Sequence, residues 1–295
     1  MTTAATEVWN VKRLLEWTSG FFSRKGLDSP RPSAEMLLGH VLGLERIKLY
    51  TNFDRVLLDD ELARFRDLVR RAGENEPVQY LVGVAHFYSL ELEVDKSVLI
   101  PRPDTETLVE AVLRTAKLEG KTSEPLRLLD LCTGSGAIAL ALAKNLPAAT
   151  VLASDVSPGA ASVAKKNAEK LGLSERVSVA EGDLFDAAEG AAPFDVVTCN
   201  PPYIPTKSLA SLDANVRDHE PHLALDGGED GLDLFRRLLA EAPAHLVDGG
   251  RLFAEMQFDQ GPALRELAEA SGAWTDVRIE RDLAGHDRVI IATKA

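Results

Sequence analysis

Asp130-Leu131-Cys132-Thr133-Gly134-Ser135-Gly136 stands directly behind an apolar run, 127–131, and directly before an alanine- and leucine-rich run, 137–146. A short apolar strand, a glycine-bearing turn and a helix in that order make one unit of a βαβ fold. Glycine lets the backbone reverse sharply and lie close against a ligand, because it carries no Cβ. Asp155, 25 residues past Asp130, ends the next β-prone run, where its carboxylate can accept both hydroxyls of a ribose. Gly134-Ser135-Gly136-Ala137-Ile138-Ala139 also fits the dinucleotide fingerprint with alanine in third place. These elements alone leave NAD and S-adenosylmethionine both open.

Outward from this turn the same alternation continues. Strands are expected at 150–153, 177–180, 195–199, 251–254, 277–280 and 289–292, with helices at 158–171, 232–246 and 262–270. Helices alternating with buried strands indicate a doubly wound, Rossmann-like α/β domain with a mainly parallel sheet. The last two strands are separated only by 281–288, too short for a helical crossover, so they should pair antiparallel. Upstream, 7–75 reads as helical, with stripes Val8, Val11, Leu14, Leu15, Phe22, then Met36, Leu37, His40, Val41, Leu44 after the Ser29-Pro30 break, then Leu62, Phe65, Leu68, Val69. From Pro77 the period changes to short β-prone runs, 85–90 and 92–94. The chain thus divides into a helical domain at 1–76, a linker with a hairpin at 77–100 and an α/β domain at 101–295.

Asn200-Pro201-Pro202-Tyr203 follows the strand at 195–199 directly and decides the chemistry. In an open α/β sheet, ligands sit beyond the carboxyl ends of the strands near the reversal of strand order, so this peptide should face the glycine turn. An amide nitrogen is a poor nucleophile, because its lone pair is delocalised into the carbonyl. The Asn200 side-chain oxygen and the Pro201 carbonyl can each accept one N–H of an incoming planar amide or amine and disperse charge as a methyl group arrives. Consecutive prolines fix the direction of that carbonyl, and the Tyr203 ring can pack on the planar group. An S-adenosylmethionine-dependent methyltransferase acting on a planar nitrogen follows.

Hydrophobic residues make up 45% of the chain and charged ones 27%, as in an ordinary soluble globular protein. No apolar run is long enough to cross a bilayer, and Met1–Asn10 lacks a basic stretch followed by an apolar one, so no membrane association and a cytoplasmic location are expected. Cys132 and Cys199 are the only cysteines, 67 positions apart, which excludes a disulfide framework or a cysteine-based zinc knuckle. His219 and His222 supply too few ligands for structural zinc, so no metal is expected. Residues 1–100 carry 13 basic and 15 acidic side chains, while 101–295 carry 20 and 31. An acidic catalytic half suits a basic or neutral partner and argues against direct nucleic-acid binding.

Beyond these readings, the chain resembles the release-factor glutamine methyltransferases from about Pro77 to the C-terminus. The resemblance rests on Pro77-Val78-Gln79-Tyr80, on Leu99-Ile100-Pro101-Arg102-Pro103-Asp104-Thr105-Glu106, on Asn200-Pro201-Pro202-Tyr203-Ile204, and on the stretch from Glu220 to Leu232. It implies a seven-stranded methyltransferase domain behind a small N-terminal helical substrate-recognition domain. It implies methylation of the glutamine in the Gly-Gly-Gln motif of peptide-chain release factors, at the side-chain N5, during translation termination. Carried over by position, Cys132, Thr133, Gly134, Ser135, Gly136 and Asp155 would bind S-adenosylmethionine, as would Asn200. Leu184, beside Asp183, would lie against the adenine, and Asn200 to Tyr203 would hold the glutamine. Cys132 stands where the family more often has glycine, Leu184 where an aromatic is frequent, and Glu255-Met256-Gln257 where Glu-x-Gly is usual. The related family acting on a ribosomal-protein glutamine usually has serine after Pro-Arg, whereas Pro103 follows Arg102 here.

Other functions compete. Adenine presents the same planar nitrogen to the same tetrapeptide, but an adenine-N6 methyltransferase extracts its base and usually carries a basic recognition surface. A binding module without turnover would not need an intact Asn200–Tyr203 and Asp155. An NAD oxidoreductase would need a proton-transfer motif that is not recognisable here.

Overall fold

In the computed structural model, which describes residues 8–295, Asn10 accepts the Arg13 N–H at 3.0 Å and so opens helix α1, Val11–Lys25. Residues 1–7, within the stretch read as lacking a secretory signal, lie outside the described residues. Gly26 closes α1 in the left-handed region. Ser29 and Pro30 break the chain as expected and start α2, Pro30–Leu42. Helices α3 (Arg46–Thr51), α4 (Asp59–Ala72) and α5 (Val78–Val82) follow. Val11, Leu15, Phe22, Leu37, Leu38, Val41, Phe65 and Val69 form one buried cluster. Two stripe positions are corrected. Val8 lies before the helix and is 55% exposed, and His40 faces solvent while Leu38 takes the core place. The run after Pro77, read as changing to a β period, begins with the helical turn α5.

By compactness the described residues through Gly83, with Ala214–His219, form one unit, and Val84–Asp213 with Glu220–Ala295 form the other. The hairpin of the second unit is β1 (Val84–Phe87) and β2 (Leu90–Glu93). Its turn is Tyr88-Ser89, both at positive φ, rather than the break at residue 91 expected from sequence. Glycine or asparagine usually marks such a turn. Here the Glu106 carboxylate holds it instead, accepting the Tyr88 N–H at 2.8 Å. Residues 98–100 form a loop, and α6 (Glu106–Leu118) leads into the sheet.

The remaining elements are β3 (Arg127–Leu131), α7 (Ala137–Asn145), β4 (Thr150–Asp155), α8 (Pro158–Lys170), β5 (Val177–Glu181), β6 (Phe194–Cys199), α9 (Ala214–Arg217, in the first unit), α10 (Asp233–His245), β7 (Leu246–Glu255), α11 (Gly261–Ser271), β8 (Trp274–Arg281) and β9 (Asp287–Lys294). The second unit's sheet has seven strands in the order β5-β4-β3-β6-β7-β9-β8. The first five are parallel, and β9 is antiparallel to both β7 and β8, as the short 281–288 connection requires. From β3 the chain runs outward through β4 to β5, then returns to pair β6 on the other side of β3. Leu131 therefore lies opposite Cys199, and the segments that follow, 132–136 and 200–203, leave the sheet side by side at the switch point.

Asn167 of α8, fully buried, fastens the hairpin to the glycine turn. Its oxygen accepts the Glu93 N–H at 2.7 Å, and its nitrogen donates to the Glu93 and Ser135 carbonyls at 2.9 Å each. Replacing it leaves three backbone groups without this partner, the Ser135 carbonyl among them buried. Asn167→Ala is expected to cost about 3 kcal/mol, read as a lower urea midpoint, and an unchanged midpoint would refute the assignment.

Candidate active site

The glycine turn is built on left-handed backbone at Cys132 (φ 54°), Gly134 (φ 55°) and Gly136 (φ 82°). A Cβ at Gly134 would meet nothing within 4 Å, so only its backbone conformation calls for glycine. At Gly136 a Cβ would lie 3.1 Å from Leu140 Cδ1 and 3.3 Å from Ala164 Cβ, so glycine there also permits α7 and α8 to close together. Cys132 bears a Cβ in a conformation that disfavours one. Its thiol meets that of Cys199, and both cysteines are free. Burial is the main cause that pushes the Cys199 thiol up, with the Cys132 hydrogen bond next.

Beneath the turn Asp130 is completely buried. Thr133 Oγ1 donates to its Oδ2 at 2.6 Å and Thr198 Oγ1 to its Oδ1 at 2.7 Å, tying the turn to β6. Burial pushes the Asp130 carboxyl up to about 6 against the pull of those hydroxyls. Asp155 is half-buried. One oxygen accepts the Gly134 N–H and the other the Ser157 N–H, each at 2.9 Å. Burial raises its affinity for the proton, and the two amides oppose the rise. The sequence assigned Asp155 to a ligand alone, whereas here it also braces the turn.

Asp155, Asp183, Leu184, Asn200 and Pro202 line one cavity of about 340 Å³ together with Cys132 through Ser135. Gly136, Pro201 and Tyr203 are not part of its wall. The Asp183 carboxylate pairs with Arg237 at 3.0 Å, a partner no local pattern announced. Leu184 is buried at φ 49°, and its carbonyl accepts from Ser154 Oγ at 3.5 Å. Asn200 Nδ2 donates to Thr105 Oγ1 at 3.3 Å, and the Tyr203 hydroxyl donates to the buried Glu255 at 3.0 Å. Burial and the neighbouring Glu255 hold the Tyr203 hydroxyl protonated far above its usual range.

The backbone behind the tetrapeptide is clasped by the 220–232 stretch. Ile204 N–H bonds the Leu225 carbonyl at 3.0 Å and Gly227 N–H bonds the Ile204 carbonyl at 2.9 Å. Gln260 Nε2 donates to the Tyr203 carbonyl at 2.9 Å and the Gly231 carbonyl at 3.2 Å. A Cβ on Gly227 would come within 2.8 Å of the Pro202 carbonyl, and one on Gly231 within 2.3 Å of the Tyr203 carbonyl. Glycine is needed at both for that approach.

Comparison with known proteins gives this geometry a lineage. Residues 13–83 match the family model of the PrmC N-terminal domain, and 128–219 match a methyltransferase domain. A protein of Rhodopirellula baltica called release factor glutamine methyltransferase is 46% identical over 97% of each chain. One of Geobacter sulfurreducens with the same name is 43% identical over 98% of each. The chain belongs to the release factor glutamine methyltransferase family. In fold it is also like the hMettl16 catalytic domain solved with an RNA hairpin, at a TM-score of 0.55 and 18% identity, covering 82% of this chain and 84% of that one. The fold is that of Rossmann-like methyltransferases, as expected from the alternating strands and helices.

The glycine that the resemblance implies in place of Cys132 would suit φ 54° without strain. Thr105, Asn167, Arg237, Glu255 and Gln260 are among the residues that sequence reasoning did not place at the site. Thr105 alone lay inside a stretch already singled out, and Glu255 entered only as part of a departure.

Because Asp130 titrates higher in the fold than its usual 3.8, the folded state holds the proton more tightly than the unfolded chain between these values. Its contribution to stability therefore falls as pH rises from about 4 to about 6 and is level above that. Relative to wild type, Asp130→Asn should gain about 3 kcal/mol across this window. Unfolding curves at pH 4, 5, 6 and 7 whose difference does not change would count against the buried-acid assignment.

Proposed function

We propose that this protein transfers a methyl group from S-adenosylmethionine to the side-chain N5 of the glutamine in the Gly-Gly-Gln motif of a peptide-chain release factor. The observation that carries this reading is the Asn200 amide on the wall of the cavity that also holds Asp155 and the glycine turn. Its nitrogen is bound to Thr105, so its oxygen is the end left for an incoming amide N–H.

The residues present fit the donor molecule. Open space over Gly134 admits a ligand against the backbone, and each Asp155 oxygen, having taken one amide, keeps a lone pair for a ribose hydroxyl. Cys132 to Ser135 form the cradle with Gly136 supporting it from behind, while Asp183 and Leu184 border the adenine. Bound S-adenosylmethionine supplies an activated methyl on a cationic sulfonium. The Asn200 oxygen and the Pro201 carbonyl accept the two N–H bonds of the glutamine amide and hold its nitrogen in line. Both contacts strengthen as positive charge grows on nitrogen, so they lower the barrier more than they tighten binding, and one of the two protons is then lost to water to leave a neutral amide. Pro202 walls the pocket, and the Tyr203 ring supports the planar group. The helical N-terminal domain, 1–76 in the sequence division, recognises the release factor. The reaction belongs to the cytoplasm, and no direct nucleic-acid contact is required. No helix among the described residues is long and apolar enough to cross a membrane.

Mass spectrometry of a release factor incubated with protein and donor should find one added methyl on the Gly-Gly-Gln peptide, and none would sink the proposal. Asn200→Ala should lower kcat on the order of 10²–10³ with little change in cofactor affinity. A folded variant working at the wild-type rate would exclude the role. Asp155→Ala should weaken S-adenosylmethionine binding by about 2–3 kcal/mol in calorimetry. Unchanged affinity would remove Asp155 from the ribose site.

A further inference from the structure

Two stretches singled out in sequence, 99–106 and 220–232, converge on the tetrapeptide. Glu220, 3% exposed, accepts the Ile100 N–H at 3.2 Å and a bond from the Arg102 guanidinium. That pins the loop entering the Pro103–Thr105 turn, whose last side chain, also buried, meets the Asn200 amide. An asparagine amide presents a donor at one end and an acceptor at the other. Turned the wrong way, Asn200 would offer its NH₂ to an incoming N–H and repel it.

We propose that Thr105 is a positioning residue that holds the Asn200 oxygen toward the cavity, and that buried Glu255 sets the direction of the hydrogen bonds behind it. This rests on the reading of Asn200 as acceptor for the substrate amide. The Tyr203 hydroxyl gives its proton to Glu255 Oε1, while Glu255 Oε2 is buried with no partner of its own. The Thr105 hydroxyl lies beside this carboxylate. Burial raises the proton affinity of Glu255, and the Thr105 and Tyr203 hydroxyls oppose that rise. As a carboxylate the group only accepts, and an unmatched oxygen in a dry site draws the nearest proton. A threonine hydroxyl has a single proton. Once that proton points to Glu255, Thr105 offers Asn200 only lone pairs, and the amide answers with its NH₂. The opposite orientation would take the Thr105 proton away from a buried acceptor, which costs more than the bond it gains. The same carboxylate, through Tyr203, holds the other end of the tetrapeptide, so Asn200 and Tyr203 are set by one group.

The test compares Thr105→Val, which keeps shape and removes the hydroxyl, with Thr105→Ser, which restores it. Thr105→Val should lower kcat for the Gly-Gly-Gln peptide about tenfold, with peptide KM and S-adenosylmethionine Kd within about twofold of wild type, and Thr105→Ser should recover the rate. In protein labelled with ¹⁵N-asparagine, the Asn200 side-chain NH₂ signals, identified by their loss in Asn200→Ala, should lose exchange protection in Thr105→Val and keep it in Thr105→Ser. Signals unchanged in Thr105→Val overturn the inference whatever the rate does. So does a fall in cofactor affinity parallel to kcat, the mark of a merely structural role. The NMR readout needs no turnover, so it judges Thr105 separately, while wild-type-like methylation by Asn200→Ala would instead sink the reading of Asn200 beneath it.

Discussion

One buried carboxylate joins the two halves of the site. Asp130 takes one hydroxyl from Thr133 on the glycine turn and one from Thr198 near the end of β6, two residues before Asn200. The glycine turn and the tetrapeptide that leaves β6 are thereby held to a single group. The burial that makes the arrangement rigid also makes it costly, since a carboxylate removed from water is stable only with donors on its oxygens. The parallel pairing of β3 with β6 supplies the geometry, and Asp130 prevents the two strand ends from drifting apart.

Around this point the structure repeats one device, a buried polar side chain that satisfies backbone or side-chain groups far from it in the chain. Asn167 joins the hairpin to the turn, Glu220 holds the 100–102 loop, and Gln260 clasps the Tyr203 and Gly231 carbonyls. Each leaves few alternative partners, so a loop that could adopt many conformations is confined to one. Loops at the carboxyl ends of strands carry the chemistry while the sheet beneath them stays the same. Preorganisation of this kind is what transition-state stabilisation by fixed acceptors demands, because an acceptor that must first reorient lowers the rate.

Backbone strain falls in the same region. Cys132 and Leu184 both adopt positive φ without being glycine, and both line the cavity. At each, the flanking strand end and the packing below hold the chain in a conformation that its side chain disfavours. Tyr88 and Ser89 repeat the pattern in the hairpin, where the Glu106 carboxylate supplies the anchor that glycine would have made unnecessary.

From sequence alone came the doubly wound fold, the strand ending at Leu131, the glycine turn, Asp155 as the acidic end of the next strand, and the tetrapeptide at 200–203. These are legible because each combines periodicity with residue types whose conformational or chemical need is local. The Tyr88-Ser89 turn is misplaced because neither residue is a usual turn marker, and α5 is missed because the five residues Val78–Val82 are too few to show a helical period, although Gly83 caps them. Tertiary structure alone decided which end of the Asn200 amide is tied, that Asp183 pairs with Arg237, and that Asp155 braces the turn it faces. Asn200 and Thr105 are 95 residues apart, Arg102 and Glu220 118. Nothing local to either partner specifies the other. A hydrogen bond across such a separation exists only once the sheet has brought the strand ends together, so its meaning lies in the fold and not in any single stretch of chain.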